Sequence, residues 1–199
     1  MTDKIPPRII HVYSPESGEP EELSLLHQAA LANAKALHPN FEHVLFGSGE
    51  MEDFVREEFP EFQAVMASFS RRIQRFDFFR YLAVYRIGGF YFDLDVLLAR
   101  SICPLLDHTC VFPFEELTVS QFLRDSHGMD WEVANYGFGA APQNAFIGAL
   151  IENCVRFVNE PAWGYQMMQG IPGAFRDVYV VPFTTGPGMV SRTLAENPH

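Results

Sequence analysis

The segment Gly88–Val96, with the sequence Gly-Gly-Phe-Tyr-Phe-Asp-Leu-Asp-Val, constrains the fold of this chain more than any other. Its apolar run is typical of a strand that is covered on both faces, and we predict this strand over Gly89–Leu98. Asp93 and Asp95 interrupt the run, and two neighbouring anions are costly to bury unless a cation meets them. A divalent metal that carries a diphosphate is a suitable cation. The segment therefore predicts a ligand site at the end of a buried strand.

The spacing of the two aspartates leaves two interpretations open. At positions i and i+2 they share one face of an ideal strand, or they surround one ion if the strand ends in a turn there. An isolated Asp-x-Asp is a weak motif, and its structural alternative is a pair of solvated carboxylates at a strand end. The apolar run before Asp93 favours the functional interpretation.

Composition narrows the class of protein. The chain has 199 residues, of which 48% are hydrophobic, and this length predicts a single domain over 1–199. The net charge of -11 makes nucleic acid an unfavourable partner. The three cysteines have no metal-ligand spacing and are interpreted as buried free thiols. We find no signal peptide and no run of the ~18 apolar residues that a membrane span needs, so we expect no transmembrane segment and a cytoplasmic location. Peripheral membrane contact or secretion as an effector remains compatible with the sequence.

Apolar periodicity predicts alternating strands and helices, and thus an α/β fold. Helices are expected over 21–37, 50–59, 62–69, 70–85 and 145–158, with a further short helix over 163–175. Strands are expected over 8–13, 41–46, 89–98 and 136–140, with weaker candidates at 111–114 and 178–181. The segment 115–130 is expected to be a surface loop or a helix, and 186–188 a turn into a last helix.

Two further groups of residues could carry chemistry. Arg75, Asp77 and Arg80 lie on the helix before the Gly-Gly pair, and Asp77 and Arg80 share one helix face because they are three residues apart. The alternative is a helix ion pair without further function. Thr184–Gly188 follows an apolar run and precedes a helix, so its amides could face an anion, although a plain turn explains the same pattern.

In order along the chain, these segments resemble the DXD sugar-binding glycosyltransferases that are typified by the fungal initiating mannosyltransferases, and more distantly the clostridial glucosylating toxins. The resemblance covers nearly the whole chain. It rests on Ile5-Pro6-Pro7-Arg8-Ile9-Ile10-His11, Ile73-Gln74-Arg75-Phe76-Asp77-Phe78-Phe79-Arg80-Tyr81-Leu82, Gly88-Gly89-Phe90-Tyr91-Phe92-Asp93-Leu94-Asp95, Asn135 before Gly137-Phe138, and Thr185-Gly186-Pro187-Gly188.

The resemblance implies a GT-A fold, which is a Rossmann-like mixed sheet flanked by helices. It also implies a UDP- or GDP-sugar donor, a glycan, lipid or protein acceptor, a divalent metal (Mn²⁺ or Mg²⁺), and transfer with retention of configuration. By similarity Asp95 binds the metal directly, and Asp93 contacts the donor ribose and sugar and assists the metal. Asp77 and Arg80 correspond to the residues that hold the sugar hydroxyls.

The remaining site residues also follow from the resemblance. Ile10, His11 and Val12 correspond to the first strand, where the nucleotide base lies, and Asn135 to a polar residue near the sugar or acceptor. Gly186 is assigned to donor binding. We take Asp93, Asp95 and Arg80 as the candidate catalytic residues.

The chain departs from the family pattern at two places. Val12-Tyr13-Ser14 stands where relatives commonly have a tryptophan, and Tyr13 is the candidate substitute for base stacking. Relatives also continue past the Thr-Gly-Pro segment, whereas this chain ends at Asn197-Pro198-His199, which predicts a truncated or naturally short member.

Two alternatives remain open. A phosphatase of the haloacid dehalogenase type would use Asp93 as its nucleophile. It needs a downstream lysine, yet Lys4 and Lys35 are the only lysines and both precede Asp93. The second alternative is a catalytically weak nucleotide-sugar or glycan-binding relative.

Overall fold

The computed structural model describes residues 4–13 and 22–197. These residues form two compact units. Unit 1 consists of the described residues within Met1–Pro60, Ala83–Val111 and Tyr136–Asn144, and unit 2 of those within Glu61–Leu82, Phe112–Asn135 and Ala145–His199. Whether they amount to the single domain expected over 1–199 stays a prediction.

The strands occupy mainly unit 1, in which a five-stranded mixed sheet carries the predicted site. The strands are β1 (Arg8–Val12), β2 (Glu42–Phe46), β3 (Gly89–Phe92), β4 (Cys110–Val111), β5 (Phe114–Leu117), β6 (Trp131–Val133) and β7 (Gly137–Ala140). The order in the sheet is β2-β1-β3-β7-β4, with β1 parallel to β2 and β3, and β7 antiparallel to both of its neighbours. The α/β prediction is confirmed.

The helices are α1 (Leu25–Leu37), α2 (Ser48–Glu58), α3 (Gln63–Ser68), α4 (Arg72–Ile87), α5 (Gln121–His127), α6 (Ala145–Asn159), α7 (Pro161–Gly164), α8 (Arg176–Thr184) and α9 (Pro187–Glu196). Short 3-10 segments lie at Pro60–Phe62, Cys103–Asp107, Tyr165–Met168 and Gly173–Phe175. Unit 1 contains α1, α2 and the last turns of α4. Unit 2 contains the first part of α4, the remaining helices and the antiparallel pair β5-β6.

The turn from α4 into β3 depends on two glycines. Gly88 has φ +63° and Gly89 has φ +113°, a region that other residues rarely adopt. A Cβ on Gly88 would lie 2.6 Å from Pro142, and one on Gly89 would lie 2.8 Å from the backbone oxygen of Arg8. The chain can therefore reverse here and bring β3 into the sheet beside β1.

The core of unit 1 surrounds β1 and β3. Its buried members include Ile9, Phe90 and Ala34, which come from β1, β3 and α1. Burial of apolar surface at about 25 cal/mol per Å² is the main stabilising contribution of such a cluster. The sheet is therefore a firm support for the residues that follow β3.

Two predicted strands are corrected by the structure. β3 ends at Phe92 and not at Leu98. The reason is that its neighbour β7 begins at Gly137, which is the partner of Phe92, and the chain then turns. The strand expected over 178–181 lies inside α8, where Tyr179 and Phe183 stack with ring centroids 5.4 Å apart. Helical i, i+4 packing of these aromatic residues outweighs the strand preference of the intervening valines.

Within the described residues, no helix has both the length and the apolar character that crossing a membrane requires. All three cysteines are free, as expected, but the expected burial holds fully only for Cys154. Cys110 is partly buried, and Cys103 is exposed at the start of a surface 3-10 segment.

Candidate active site

The two aspartates of the Asp-x-Asp motif lie in a turn at the carboxyl end of β3. The amide of Val96 donates to the carbonyl oxygen of Asp93 at 3.1 Å, which closes the turn Asp93–Val96, hereafter the DXD turn. The side chain of Asp93 is partly exposed and that of Asp95 is exposed. Of the two arrangements considered from the sequence, the structure has the turn and not the extended strand.

Two glycines on β7 fix the strand that carries this turn. Phe90 and Phe92 stack with ring centroids 6.4 Å apart, at 7° between planes. Their rings lie over Gly139 and Gly137, where a Cβ would come within 2.4 Å and 2.7 Å of ring carbons. Only glycine leaves room for the two aromatic side chains, so the Gly-Phe-Gly sequence of β7 is a packing requirement of β3.

Asp93 is held by the residues around it. The Tyr91 hydroxyl donates to Asp93 Oδ1 at 2.5 Å, and the Asp93 amide donates to the carbonyl oxygen of Tyr136 at 2.8 Å. Tyr91 lies two residues earlier, on the same face of the strand. Its contact with Asp93 was not predicted, although the i, i+2 spacing was the available signal. The carboxylate of Asp95, by contrast, makes no hydrogen bond or ion pair with any residue that the structure describes.

His11 on β1 supports the end of β3. Its Nδ1 lies 2.8 Å from the carbonyl oxygen of Phe92, the residue before Asp93. A carbonyl oxygen only accepts, so Nδ1 carries the proton and Nε2 has a lone pair. Burial lowers the pKa of His11, which keeps the ring neutral. Nε2 is buried and has no hydrogen-bond partner among residues 4–13 and 22–197.

The other residues assigned to the nucleotide base lie beside His11 on β1. Ile10 is fully buried and pairs with Tyr91, whereas Val12 is partly buried and pairs with Phe46. Tyr13 packs edge-on against His27, with centroids 5.7 Å apart. Base contacts by these residues stay predictions.

Unit 2 brings together three of the predicted site residues, Asp77, Arg80 and Asn135. Arg80 pairs with Asp77 at 2.6 Å, and both side chains are 4% exposed. Asn135 donates to Asp77 Oδ1 at 3.2 Å, and its own carbonyl oxygen accepts from Arg80 at 2.8 Å. Arg75 is not part of this cluster, since its guanidinium faces the carbonyl oxygen of Phe69 at 3.5 Å.

Two further residues complete this cluster, and neither was assigned a role from the sequence. The Thr185 hydroxyl donates to Asp77 Oδ2 at 2.9 Å. The Tyr81 hydroxyl donates to the carbonyl oxygen of Thr185 at 2.7 Å and accepts from Asn135 at 3.0 Å. Burial and the nearby Asp77 raise the pKa of Tyr81, so it remains a donor. Tyr81 lies four residues after Asp77, so helical spacing was the signal available for it. We call these five residues, Asp77, Arg80, Tyr81, Asn135 and Thr185, the Asp77 network.

Gly186 has a packing function in the structure. Its amide donates to the carbonyl oxygen of Val181 at 2.9 Å. A Cβ at this position would lie 2.9 Å from Cα of Pro182, so glycine is needed where α8 meets α9. The amide is thus committed within unit 2, and the donor-binding assignment of Gly186 stays a prediction.

The DXD turn has donor atoms of the kind that Mn²⁺ and Mg²⁺ prefer. Both cations bind carboxylate oxygens and keep coordination positions for water and phosphate. Within the described residues no group of three or more His, Cys, Asp or Glu side chains could hold a metal. The residues therefore fit a metal that is shared between two aspartates and a bound diphosphate, and they do not fit a metal site made by protein side chains alone.

Comparison with solved structures defines the class of fold. PaToxG Glycosyltransferase superposes with a TM-score of 0.63 at 14% identity, and the match covers 98% of this chain and 71% of that chain. The chain thus has the GT-A glycosyltransferase fold, as the resemblance implied.

The sequence comparisons match a family over part of the chain. Residues 25–112 match the family described as glycosyltransferase sugar-binding region containing DXD motif. This region includes Asp77, Arg80, Asp93 and Asp95. This part of the chain is therefore similar to the sugar-binding region of the DXD glycosyltransferases, and the predicted resemblance is confirmed.

Curated relatives come from two yeasts. Inositol phosphoceramide mannosyltransferase 3 of Schizosaccharomyces pombe is 33% identical over 102 residues, which are 51% of this chain and 28% of the relative. Inositol phosphoceramide mannosyltransferase 1 of the same yeast is 28% identical over 155 residues, 76% of this chain and 43% of the relative. Mannosyl phosphorylinositol ceramide synthase SUR1 of Saccharomyces cerevisiae is 30% identical over 140 residues, 70% of this chain and 32% of the relative. The chain spans less than half the length of each of these relatives.

Proposed function

We propose that this protein transfers a hexosyl group from a nucleotide-diphosphate sugar to a glycan, lipid or protein acceptor. The observation that carries this proposal is the DXD turn, in which an exposed and uncommitted Asp95 follows a strand that is fixed on both sides. The names of the yeast relatives make mannose the first sugar to test, and thus GDP-mannose the first donor, with UDP-glucose as the second.

In this proposal Asp95 and Asp93 hold Mn²⁺ or Mg²⁺ together with the donor diphosphate. The metal would supply neutralisation of the charge that develops on the leaving phosphate. The protein residues bind the metal and the donor and orient them. Tyr91 leaves Asp93 less freedom of rotation by donating to Oδ1, while Asp95 keeps both oxygens available.

Arg80 and Asp77 are proposed to meet the donor sugar. A paired guanidinium and carboxylate offer donors and acceptors at fixed positions, which suits the recognition of sugar hydroxyls. The Asp77 network supports this assignment because it holds both side chains by several hydrogen bonds. Preorganised polar groups lose little entropy when a ligand binds.

We also propose retention of configuration. The acceptor hydroxyl would then attack from the face that the diphosphate leaves, and no protein nucleophile is assigned. The chain's task in this reaction is to position two substrates and to exclude water, which provides a large share of the rate in group transfer.

Calorimetry with GDP-mannose and UDP-glucose, with and without Mn²⁺, tests the proposal. We expect donor binding that depends on Mn²⁺, slow hydrolysis of the donor, and loss of the Mn²⁺-dependent part in Asp95→Asn. Asp107→Asn is the matched control, because Asp107 is another exposed aspartate of unit 1 and pairs only with the exposed Lys4. Equal binding by wild type and Asp95→Asn would refute the metal assignment.

Other outcomes identify the alternatives. Donor binding without turnover would identify a nucleotide-sugar-binding relative. If the protein binds none of the nucleotide sugars, the proposal is refuted. Hydrolysis of a phosphate monoester that is lost in Asp93→Asn would identify the phosphatase.

A further inference from the structure

Unit 2 contains an open cavity that the proposed donor site does not use. Its volume is about 390 Å³, within the range of small-molecule sites. The lining combines apolar and polar groups and comes from the loop before α5, α5 itself with Gln121 and Arg124, the segment after Gly170, and α8. The apolar and aromatic members are Val119, Ile171, Pro172, Phe175 and Tyr179, and the charged member is Arg124.

Two arginines, Arg124 in the lining of this cavity and Arg176 beside the lining residue Phe175, are fixed by backbone carbonyls and not by carboxylates. Arg124 donates to the carbonyl oxygen of Thr118 at 2.5 Å. Arg176 donates from Nε to the carbonyl oxygen of Ile171, a lining residue, at 3.2 Å. Among the described residues neither arginine has an ion pair, and Asp177, beside Arg176, is paired with Arg71. In a chain with a net charge of -11, two guanidinium groups without an acidic partner indicate a local site for an anion.

Large apolar side chains are exposed next to these arginines. Phe175 is 58% exposed and lines the cavity, Val178 is 68% exposed on the same helix as Tyr179, and Val119 is 44% exposed. A compact group of exposed apolar residues marks an interaction surface. Free phosphate or a sugar would leave these side chains in water, whereas a ligand with an apolar chain would cover them.

We propose that this cavity binds the headgroup and the first chain carbons of an anionic phospholipid. Arginine binds phosphate by two parallel hydrogen bonds, and the cavity walls provide an apolar surface for the chain. Arg124 and Arg176 bind the phosphate, and Phe175 packs on the chain. A role of this lipid as the acceptor rests on the proposed function. Its binding in the cavity is independent of that function.

Vesicle binding tests the proposal on the full chain. We compare vesicles of phosphatidylcholine alone with vesicles that also contain phosphatidylinositol. We expect binding only to the second kind, and a loss on the order of tenfold in the double variant Arg124→Gln/Arg176→Gln, because each removes a charge-assisted contact. Arg56→Gln is the matched control, since Arg56 is an exposed arginine of α2 with an ion pair to Asp53. Phe175→Ser should weaken binding while leaving the charge unchanged.

Several results would overturn the inference. These are equal binding to both kinds of vesicle, an unchanged affinity in the double arginine variant, and full competition by inorganic phosphate, which would indicate a simple anion site. Calorimetry with GDP-mannose on the same variants separates this test from that of the donor site. Lost lipid binding with intact donor binding supports the cavity, whereas absent donor binding in the wild type counts against the proposed function alone.

Discussion

The DXD turn and the Asp77 network contain the same residue type in opposite situations. The carboxylate of Asp95 is exposed and makes no hydrogen bond or ion pair with the described residues, whereas the Asp77 carboxylate is buried and accepts from Arg80, Asn135 and Thr185. A buried carboxylate is stable only while its partners are present, and an exposed one needs none. The comparison predicts that removal of Asp95 affects ligand binding with little effect on stability, whereas removal of Asp77 affects folding in addition to any contact with the donor.

The largest expected effect is that of Arg80→Ala, which leaves the Asp77 carboxylate buried without its cation. Breaking a buried pair from one side costs ~3–5 kcal/mol of unfolding free energy. Urea unfolding of Arg80→Ala and wild type measures this loss of unfolding free energy. Asp95→Asn is the comparison variant, and its unfolding free energy should lie within about 0.5 kcal/mol of wild type. If Arg80→Ala unfolds like wild type, the pair is not buried in solution and the contrast between the two regions disappears.

A smaller effect is expected from Thr185→Val, which keeps the shape of the side chain and removes the donor to Asp77 Oδ2. Hydrogen bonds to charged groups contribute about 1.5–3 kcal/mol, so the unfolding free energy should fall by that amount. Thr109→Val is the control, since Thr109 is an exposed threonine. Equal unfolding free energies of the two variants in urea would show that the bond from the Thr185 hydroxyl to Asp77 does not stabilise the fold.

The smallest effect concerns the support of the DXD turn and depends on pH. Burial lowers the pKa of His11 below its ordinary value of 6.5, so the unfolded chain binds a proton that the folded chain does not. The stability from this group is present above pH 6.5 and is lost as pH falls through the folded pKa. His11→Asn keeps a donor for the carbonyl oxygen of Phe92 and removes the titration.

The difference in unfolding free energy between wild type and His11→Asn should therefore narrow by about 1.4 kcal/mol per unit of pKa shift on acidification. Urea unfolding at about pH 7 and about pH 5 measures this difference. The lowered pKa of His38 affects both proteins equally and cancels. A gap that widens at acid pH would contradict the neutral, buried state of His11.

Much of the fold was predictable because local pattern and tertiary packing agree there. The Gly88-Gly89 pair needs positive φ, the apolar run after it needs two covered faces, and α6 has a regular apolar stripe. The prediction failed at 178–181, where valine and tyrosine favour a strand locally but Tyr179 packs on Phe183 in a helix. The prediction of the strand also failed after Phe92. The length of a strand is set by its neighbour, here β7, and the sequence of β3 carries no information on where β7 begins.

The site was predictable as a set of residue types and less so as a set of contacts. Asp77 and Arg80 were identified as neighbours from their spacing, and the structure adds that they are buried and tied to Thr185 and Asn135, over a hundred and over fifty residues further along the chain. No local pattern reports such distant partners. At Gly186 the amide that the motif could offer to an anion donates to the carbonyl oxygen of Val181, a contact that the local sequence did not indicate, and the donor-binding assignment stays a prediction.

The three free cysteines have a practical consequence. Burial raises the pKa of Cys110 to about 12 and that of Cys154 well above its ordinary value, whereas Cys103 is exposed at the start of a 3-10 segment. Since the thiolate is the reactive form, a maleimide dye at neutral pH should attach to Cys103 and spare the other two. The natural sequence therefore provides a single attachment point for a fluorescent reporter in unit 1, without any cysteine having to be removed first.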